Sequence, residues 1–242
     1  MAGLRVLVTR PEPGASKTAE TLERLGYQPI VMPLTSIETH LPFLPEPWPA
    51  FTHVVVTSAN GLRHAPEILI RRLRGLTVFA VGDATARSAR AAGFDSVETG
   101  GGGAAGLEAH LLALPVDQIR VAYIAGVVRR PELELFLTRE GIAFNVFETY
   151  QTKKVSYSTH EIELLLGEDL VDAVLVHSAE TAAALGELPA AGKIGHIIEI
   201  TNFFAISERV GRALESQGAR HVSAASEPSE AAMLDLLATI RG

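Results

Sequence analysis

Short, nearly unbroken apolar runs alternate along this chain with longer stretches rich in Ala, Leu and Arg. The runs predict strands at residues 5–9, 29–32, 53–57, 77–81, 120–125, 144–150, 173–177 and 196–200. Apolar runs without polar alternation mark strands buried on both faces. The stretches between them predict helices, among them 15–25, 84–92, 131–140 and 208–217. Gly26, Gly93, Gly141 and Gly218 stand where each of these helices would end, as glycine C-caps do. Strands and helices in such alternation predict an α/β protein built on parallel sheets, with right-handed crossovers.

The pattern also repeats. His53-Val54-Val55-Val56-Thr57-Ser58-Ala59-Asn60 resembles Ala173-Val174-Leu175-Val176-His177-Ser178-Ala179-Glu180. Further on, residues 78–93 resemble 199–218, with Gly82 near Ser207 and Gly93 on Gly218. The offset drifts by a few residues between the two matches, as an insertion in a surface loop would cause. Two similar α/β units in one chain favour two domains over one.

Two stretches read as joints. Residues 38–49 hold Pro42, Pro45, Pro47 and Pro49 and so predict a stiff, extended connection, neither helix nor central strand. Residues 149–158 are polar and poor in helix formers. Taken together, they predict a domain of residues 37–149 inserted into one formed by residues 1–36 and 150–242. Two links between the domains would restrict them to hinge-like motion.

Composition narrows the chemistry. The 242 residues are 47% hydrophobic and include no cysteine, which excludes disulfides, thiolate zinc sites and a cysteine nucleophile. A formal charge of −7 with no basic stripe argues against a nucleic-acid partner. No apolar run is long enough for a membrane helix, and the N-terminus has no signal-peptide pattern. A cytoplasmic protein is the expectation. The eight histidines do not cluster at metal-ligand spacing, so no metal is expected.

Several strand–turn–helix junctions can bind a ligand, since ligands of open α/β sheets lie at the carboxyl ends of the strands. Thr57, Ser58 and Asn60 follow one strand, and Ser58 or Asn60 can also serve simply as a helix cap. Gly82 opens the next helix, where a glycine permits close backbone approach. Ser178 and Ser207 hold the equivalent places in the second unit. Arg129, with Arg130 and Pro131, follows the strand ending at Gly126, as a helix start or as a carboxylate-binding loop. Tyr150 falls where the middle domain should end, bordering a cleft, and could donate a proton there. Gly101 to Gly106 fits a dinucleotide fingerprint literally, but the strand before it is weak and no acidic residue follows at the required distance.

Val6-Leu7-Val8-Thr9-Arg10-Pro11, Thr57 to Asn60, Ala80 to Ala86, Glu148-Thr149-Tyr150-Gln151-Thr152, Ala205 to Val210 and Glu227-Pro228-Ser229-Glu230 together resemble the uroporphyrinogen-III synthase family. They span almost the whole chain in the family's order. The resemblance implies two flavodoxin-like parallel-sheet domains joined by a two-stranded connector, with the active site in the cleft between them and no cofactor. It implies hydroxymethylbilane, a linear tetrapyrrole rich in carboxylates, as substrate. This loses water, and the far pyrrole attacks through its substituted carbon. A spiro intermediate then fragments and closes with that ring inverted.

On this reading Tyr150 is the candidate general acid. The candidate substrate-binding residues are Arg10, Thr57, Ser58, Asn60, Gly82, Thr85, Gly126, Arg129, Ser178 and Ser207. Where the family's second turn often reads Gly-x-x-Thr-Ala, this chain has Ser207-Glu208-Arg209-Val210-Gly211, so the threonine hydroxyl is missing and Ser207 supplies one nearby. The expected protein is a monomeric lyase. The rivals are a non-catalytic two-lobed binding protein and a nucleotide-dependent enzyme resting on the glycine run.

Overall fold

The computed structural model describes residues 3–100, 104–188, 197 and 199–241. The chain divides into two compact units, Met1–Ser36 with Lys153–Gly242, and Ile37–Thr152. The second boundary lies a few residues beyond the expected 149/150, because a strand runs through it.

The first unit carries the parallel sheet β11-β10-β9-β1-β2. Its strands are β1 (Arg5–Val8), β2 (Gln28–Val31), β9 (Ala173–Val176), β10 (Asn202–Ala205) and β11 (His221–Ala224). The apolar runs explain the burial. Leu7 and Val174 face one hydrophobic cluster with Phe203 and Leu214. Val6, Val8 and Leu175 face the other with Phe204 and Met233. Helices α1 (Gly14–Arg24), α7 (Thr159–Leu166), α8 (Ala179–Gly186), α9 (Glu208–Ser216) and α10 (Glu230–Ala238) belong to this unit.

The second unit carries the six-stranded sheet β3-β8-β7-β4-β5-β6. Its strands are β3 (Thr35–Thr39), β4 (His53–Val56), β5 (Thr77–Ala80), β6 (Val97–Thr99), β7 (Arg120–Gly126) and β8 (Ala143–Lys154). The pairings among β6, β5, β4, β7 and β8 are parallel. Val54 and Val56 enter one core with Phe147, while Val55 enters the other with Tyr123 and Phe136. Helices α2 (Ala59–Arg63), α3 (Glu67–Leu73), α4 (Asp83–Ala91), α5 (Ala104–Leu112) and α6 (Glu132–Arg139) connect the strands.

The repeat reappears in space. The run β4-β5-β6 corresponds to β9-β10-β11, and β7 and β8 take beside β4 the places that β1 and β2 take beside β9. Gly26, Gly93, Gly141 and Gly218 all have positive φ, the left-handed conformation that ends a helix at least cost in glycine.

Two expectations are corrected. The strand expected at 196–200 lies instead at β10: Ile197, Glu199 and Ile200 are helical, and His196 is outside the described residues. Phe203 and Phe204 provide the buried apolar run, whereas Ile200 is 54% exposed. The stretch 149–158 is not all linker, because its first part extends β8 to Lys154. Its polar residues keep strand geometry through pairing. The Thr149 carbonyl accepts from His40 N and the Leu34 carbonyl from Val155 N, so β3 and β8 run in opposite directions. The proline-rich stretch beyond β3 has no regular structure, and Trp48 anchors it by stacking on Phe147 with ring centroids 5.7 Å apart.

Candidate active site

In the second unit the strand order reverses between β4 and β7, and in the first between β9 and β1. Such reversal points are where crossovers leave on opposite faces and open a crevice at the carboxyl ends of the strands. Most of the candidate residues lie at these ends.

In the second unit Thr57 follows β4. Its Oγ1 lies 3.1 Å from the Tyr123 phenol oxygen, because the register sets Val55 against Tyr123 and Thr57 is two residues on, on the same face. Burial pushes the Tyr123 phenol up, with Tyr150 adding to the rise and the Thr57 contact opposing it. Ser58 caps α2, accepting from Asn60 N at 3.2 Å, and Asn60 Oδ1 accepts from Arg63. Both therefore already serve the helix start, although the second lone pair of each remains.

Gly82 and Ser207 begin α4 and α9 in extended conformation, with no side-chain capping bond. Ser178 does cap α8, accepting from Thr181 N at 3.1 Å. Helix starts without a side-chain acceptor leave backbone N–H groups turned outward, a fit for carboxylates. Thr85 and Val210 are equivalent in the repeat and are 5% and 1% exposed. Val210 packs in the core. A hydroxyl lost there is lost from an interior position.

The two arginine candidates are already engaged. Arg129 donates to Glu134 at 2.6 Å and to Glu148 at 2.7 Å, and also to the carbonyls of Gly126 and Val127. These bonds hold its guanidinium above its usual range, Glu134 foremost. Arg10 donates to Glu230 at 2.9 Å and to Thr18. Both arginines fasten loops, Arg129 through Nε, Nη1 and Nη2 and Arg10 through Nη1.

Tyr150 lies in β8, half-buried, opposite Gly126. The His64 ring centroid is 6.4 Å from its ring, and His64 Nδ1 lies 2.9 Å from Thr39 Oγ1. Burial, with Arg63 nearby, keeps His64 below its ordinary range and thus neutral near pH 7. Among the described residues no hydrogen bond engages the Tyr150 phenol, so its proton is available to a ligand. Tyr123, Thr39 and His64 are neighbours the sequence did not reveal. Strand pairing places Tyr123 and Thr39 and the C-cap of α2 places His64, although Tyr123 stands in a run already assigned to β7.

The strand before the glycine run, β6, is at the sheet edge, whereas the fingerprint follows a strand beside the reversal point. Gly101 to Gly103 lie outside the described residues.

A family model described as Uroporphyrinogen-III synthase HemD matches residues 16–235. The chain belongs to the uroporphyrinogen-III synthase family. Among solved structures, it is similar to the uroporphyrinogen-III synthetase of Helicobacter pylori, at 17% identity and a TM-score of 0.69, over 98% of this chain and 100% of that one. A mutant uroporphyrinogen III synthase from the extremely thermophilic bacterium Thermus thermophilus matches at 19% identity and a TM-score of 0.59, over 99% and 98%. These likenesses bear on the fold, a mixed α/β architecture with parallel sheets. Comparison with curated proteins yields no match. Among the described residues no helix is long and apolar enough to cross a membrane.

Proposed function

We propose that this synthase-family chain cyclises hydroxymethylbilane to uroporphyrinogen III with inversion of the terminal pyrrole ring, as a lyase. The observation that carries this reading is the family match over residues 16–235. The chemistry of the strand ends is consistent with it. A substrate bearing many carboxylates needs many modest donors, and the carboxyl edges of both sheets offer Thr57, Ser58, Asn60, Gly82, Ser178 and Ser207. Spontaneous closure gives the uninverted ring, so the enzyme's task is to hold the substrate ends for attack by the substituted carbon. Orientation of this kind contributes about 7–11 kcal/mol in well-aligned cases.

Tyr150 is the proton donor for departure of the hydroxyl in this proposal. The carbon–oxygen bond breaks, the phenol proton leaves with the oxygen as water, and the cation is captured by the far pyrrole. Arg10 and Arg129 serve by fixing loops. Thr85 supports its turn from inside.

On the same reading the units are two flavodoxin-like domains. The order β2-β1-β9-β10-β11 supports this for the first, as it is the 2-1-3-4-5 order of that fold. The second unit has the same neighbours when its strands are counted from β7. β3 and β8 serve as the two-stranded connector. The protein acts as a cytoplasmic monomer. Incubation with freshly prepared hydroxymethylbilane, followed by separation of the porphyrin isomers after oxidation, tests the proposal. Isomer III is expected. Isomer I alone, at the uncatalysed rate, would refute it.

A further inference from the structure

The glycine that ends β7 sits where any side chain would strike the candidate acid. A Cβ built on Gly126 would lie 2.7 Å from Tyr150 Cζ, 2.9 Å from Cε2 and 3.0 Å from the phenol oxygen. The backbone itself does not require glycine there, because Gly126 is not among the glycines with positive φ. All three of the nearest atoms belong to Tyr150, so the tyrosine is the first obstacle to a larger residue.

The backbone on both sides is held. The pairing of β7 with β8 slips at this point: Ala125 stands against Glu148 but Gly126 stands against Tyr150, so Thr149 is passed over. Such a bulge re-aims the side chain that follows it. Thr149 is pinned by its own hydroxyl, which donates to the Gly61 carbonyl at 2.7 Å. The Tyr150 carbonyl accepts from Val127 N at 2.9 Å, and the Gly126 carbonyl accepts from Arg129 at 3.0 Å. With both strands anchored, a methyl group at Gly126 is relieved chiefly by swinging the Tyr150 ring.

We infer that Gly126 is a positioning residue for the reaction: its missing side chain sets the place of the Tyr150 phenol over the end of β7. This rests on the reading of Tyr150 as proton donor and replaces the expectation that Gly126 binds substrate. Carbon atoms pack at about 3.5–4.0 Å, so an alanine would displace the phenol by roughly 1 Å. A misplacement of that size can cost about a hundredfold in rate.

The test is a double-mutant cycle. Gly126→Ala is expected to lower kcat by about ten- to a hundredfold with KM changed less than threefold, since binding is spread over other turns. In the Tyr150→Phe background, which has no phenol to misplace, the same change should alter kcat by less than twofold. With isotope-labelled tyrosine, the ring signal that vanishes in Tyr150→Phe should shift in Gly126→Ala while those of the other three tyrosines hold.

An equal loss of kcat in both backgrounds, an unmoved Tyr150 signal, or a fully active Gly126→Ala would overturn the inference. Full activity of Tyr150→Phe overturns the proton-donor reading and the inference with it. Should Gly126→Ala fail to fold, adding Tyr150→Val removes the obstructing ring. Restored folding supports the contact, and continued misfolding overturns it.

Discussion

Arg129 Nη1 donates to Glu148 Oε1 at 2.7 Å, tying the loop after β7 to the strand beside it. The same guanidinium binds Glu134 through two nitrogens, at 2.6 and 3.3 Å. Arg129 is mostly buried but Glu148 is about a third exposed, so solvent weakens that pair. Arg129→Ala should therefore destabilise the fold by about 1–3 kcal/mol, with Arg129→Lys recovering little because an ammonium cannot reproduce a planar fork. Urea unfolding with an unchanged m-value would measure this. Unchanged stability with a sharply raised KM would instead make Arg129 a substrate ligand.

Tyr150→Phe removes one oxygen and keeps the ring. Turnover should fall by about ten- to a thousandfold, the upper part overlapping ordinary general-acid contributions. KM should move much less, and isomer III should still dominate the enzymatic product, since ring inversion depends on how the substrate ends are held. Single-turnover rates with isomer analysis settle the point. Full turnover in a folded variant would reduce the tyrosine to packing.

Ser178 serves α8 through the Thr181 amide, so its value as a cap can be separated from its value to substrate. Ser178→Ala should cost about 1 kcal/mol of stability and Ser178→Gly only a few tenths. Both remove the hydroxyl. If that hydroxyl contacts a carboxylate, KM should rise severalfold and equally in both variants. A KM unchanged in Ser178→Gly would leave it a helix cap and nothing more.

What the sequence disclosed and what it withheld divide along one line. Local chemistry was legible: Gly26, Gly93, Gly141 and Gly218 end helices as read, and the likeness of Ser58 to Ser178 anticipates two matching helix starts. Relations set by register were not. That Arg129 faces Glu148, that Thr57 meets Tyr123 and that Gly126 lies under Tyr150 all depend on how β8 and β4 align with β7, including a bulge with no mark in the residue pattern. The misplaced strand has a different cause. The run around Ile200 is apolar enough for either element, and burial of Phe203 and Phe204 decided between them.

His177 offers a prediction about acid stability. It follows β9, and both ring nitrogens are buried without a hydrogen-bond partner, although part of the residue reaches solvent. Desolvation, with Arg10 nearby, brings its pKa down to about 3 from the ordinary 6.5. The folded chain thus refuses a proton that the unfolded chain accepts below pH 6.5. Above that pH both states hold neutral imidazole and stability is at its full value. As pH falls from 6.5 toward 3, this residue alone should remove about 1.4 kcal/mol per unit. His177→Phe keeps a ring of similar size and loses no hydrogen bond made in the folded chain, so at pH 8 it should be as stable as the parent or more so. Between pH 6 and 4 its stability should decline less steeply, by about one proton in the linkage slope, while the carboxylates contribute equally to both proteins. Urea midpoints at pH 8, 6, 5 and 4 for the two chains give the comparison directly. Parallel decline would mean that the imidazole is protonated or hydrated in the folded state, and that the acid lability arises among the carboxylates instead.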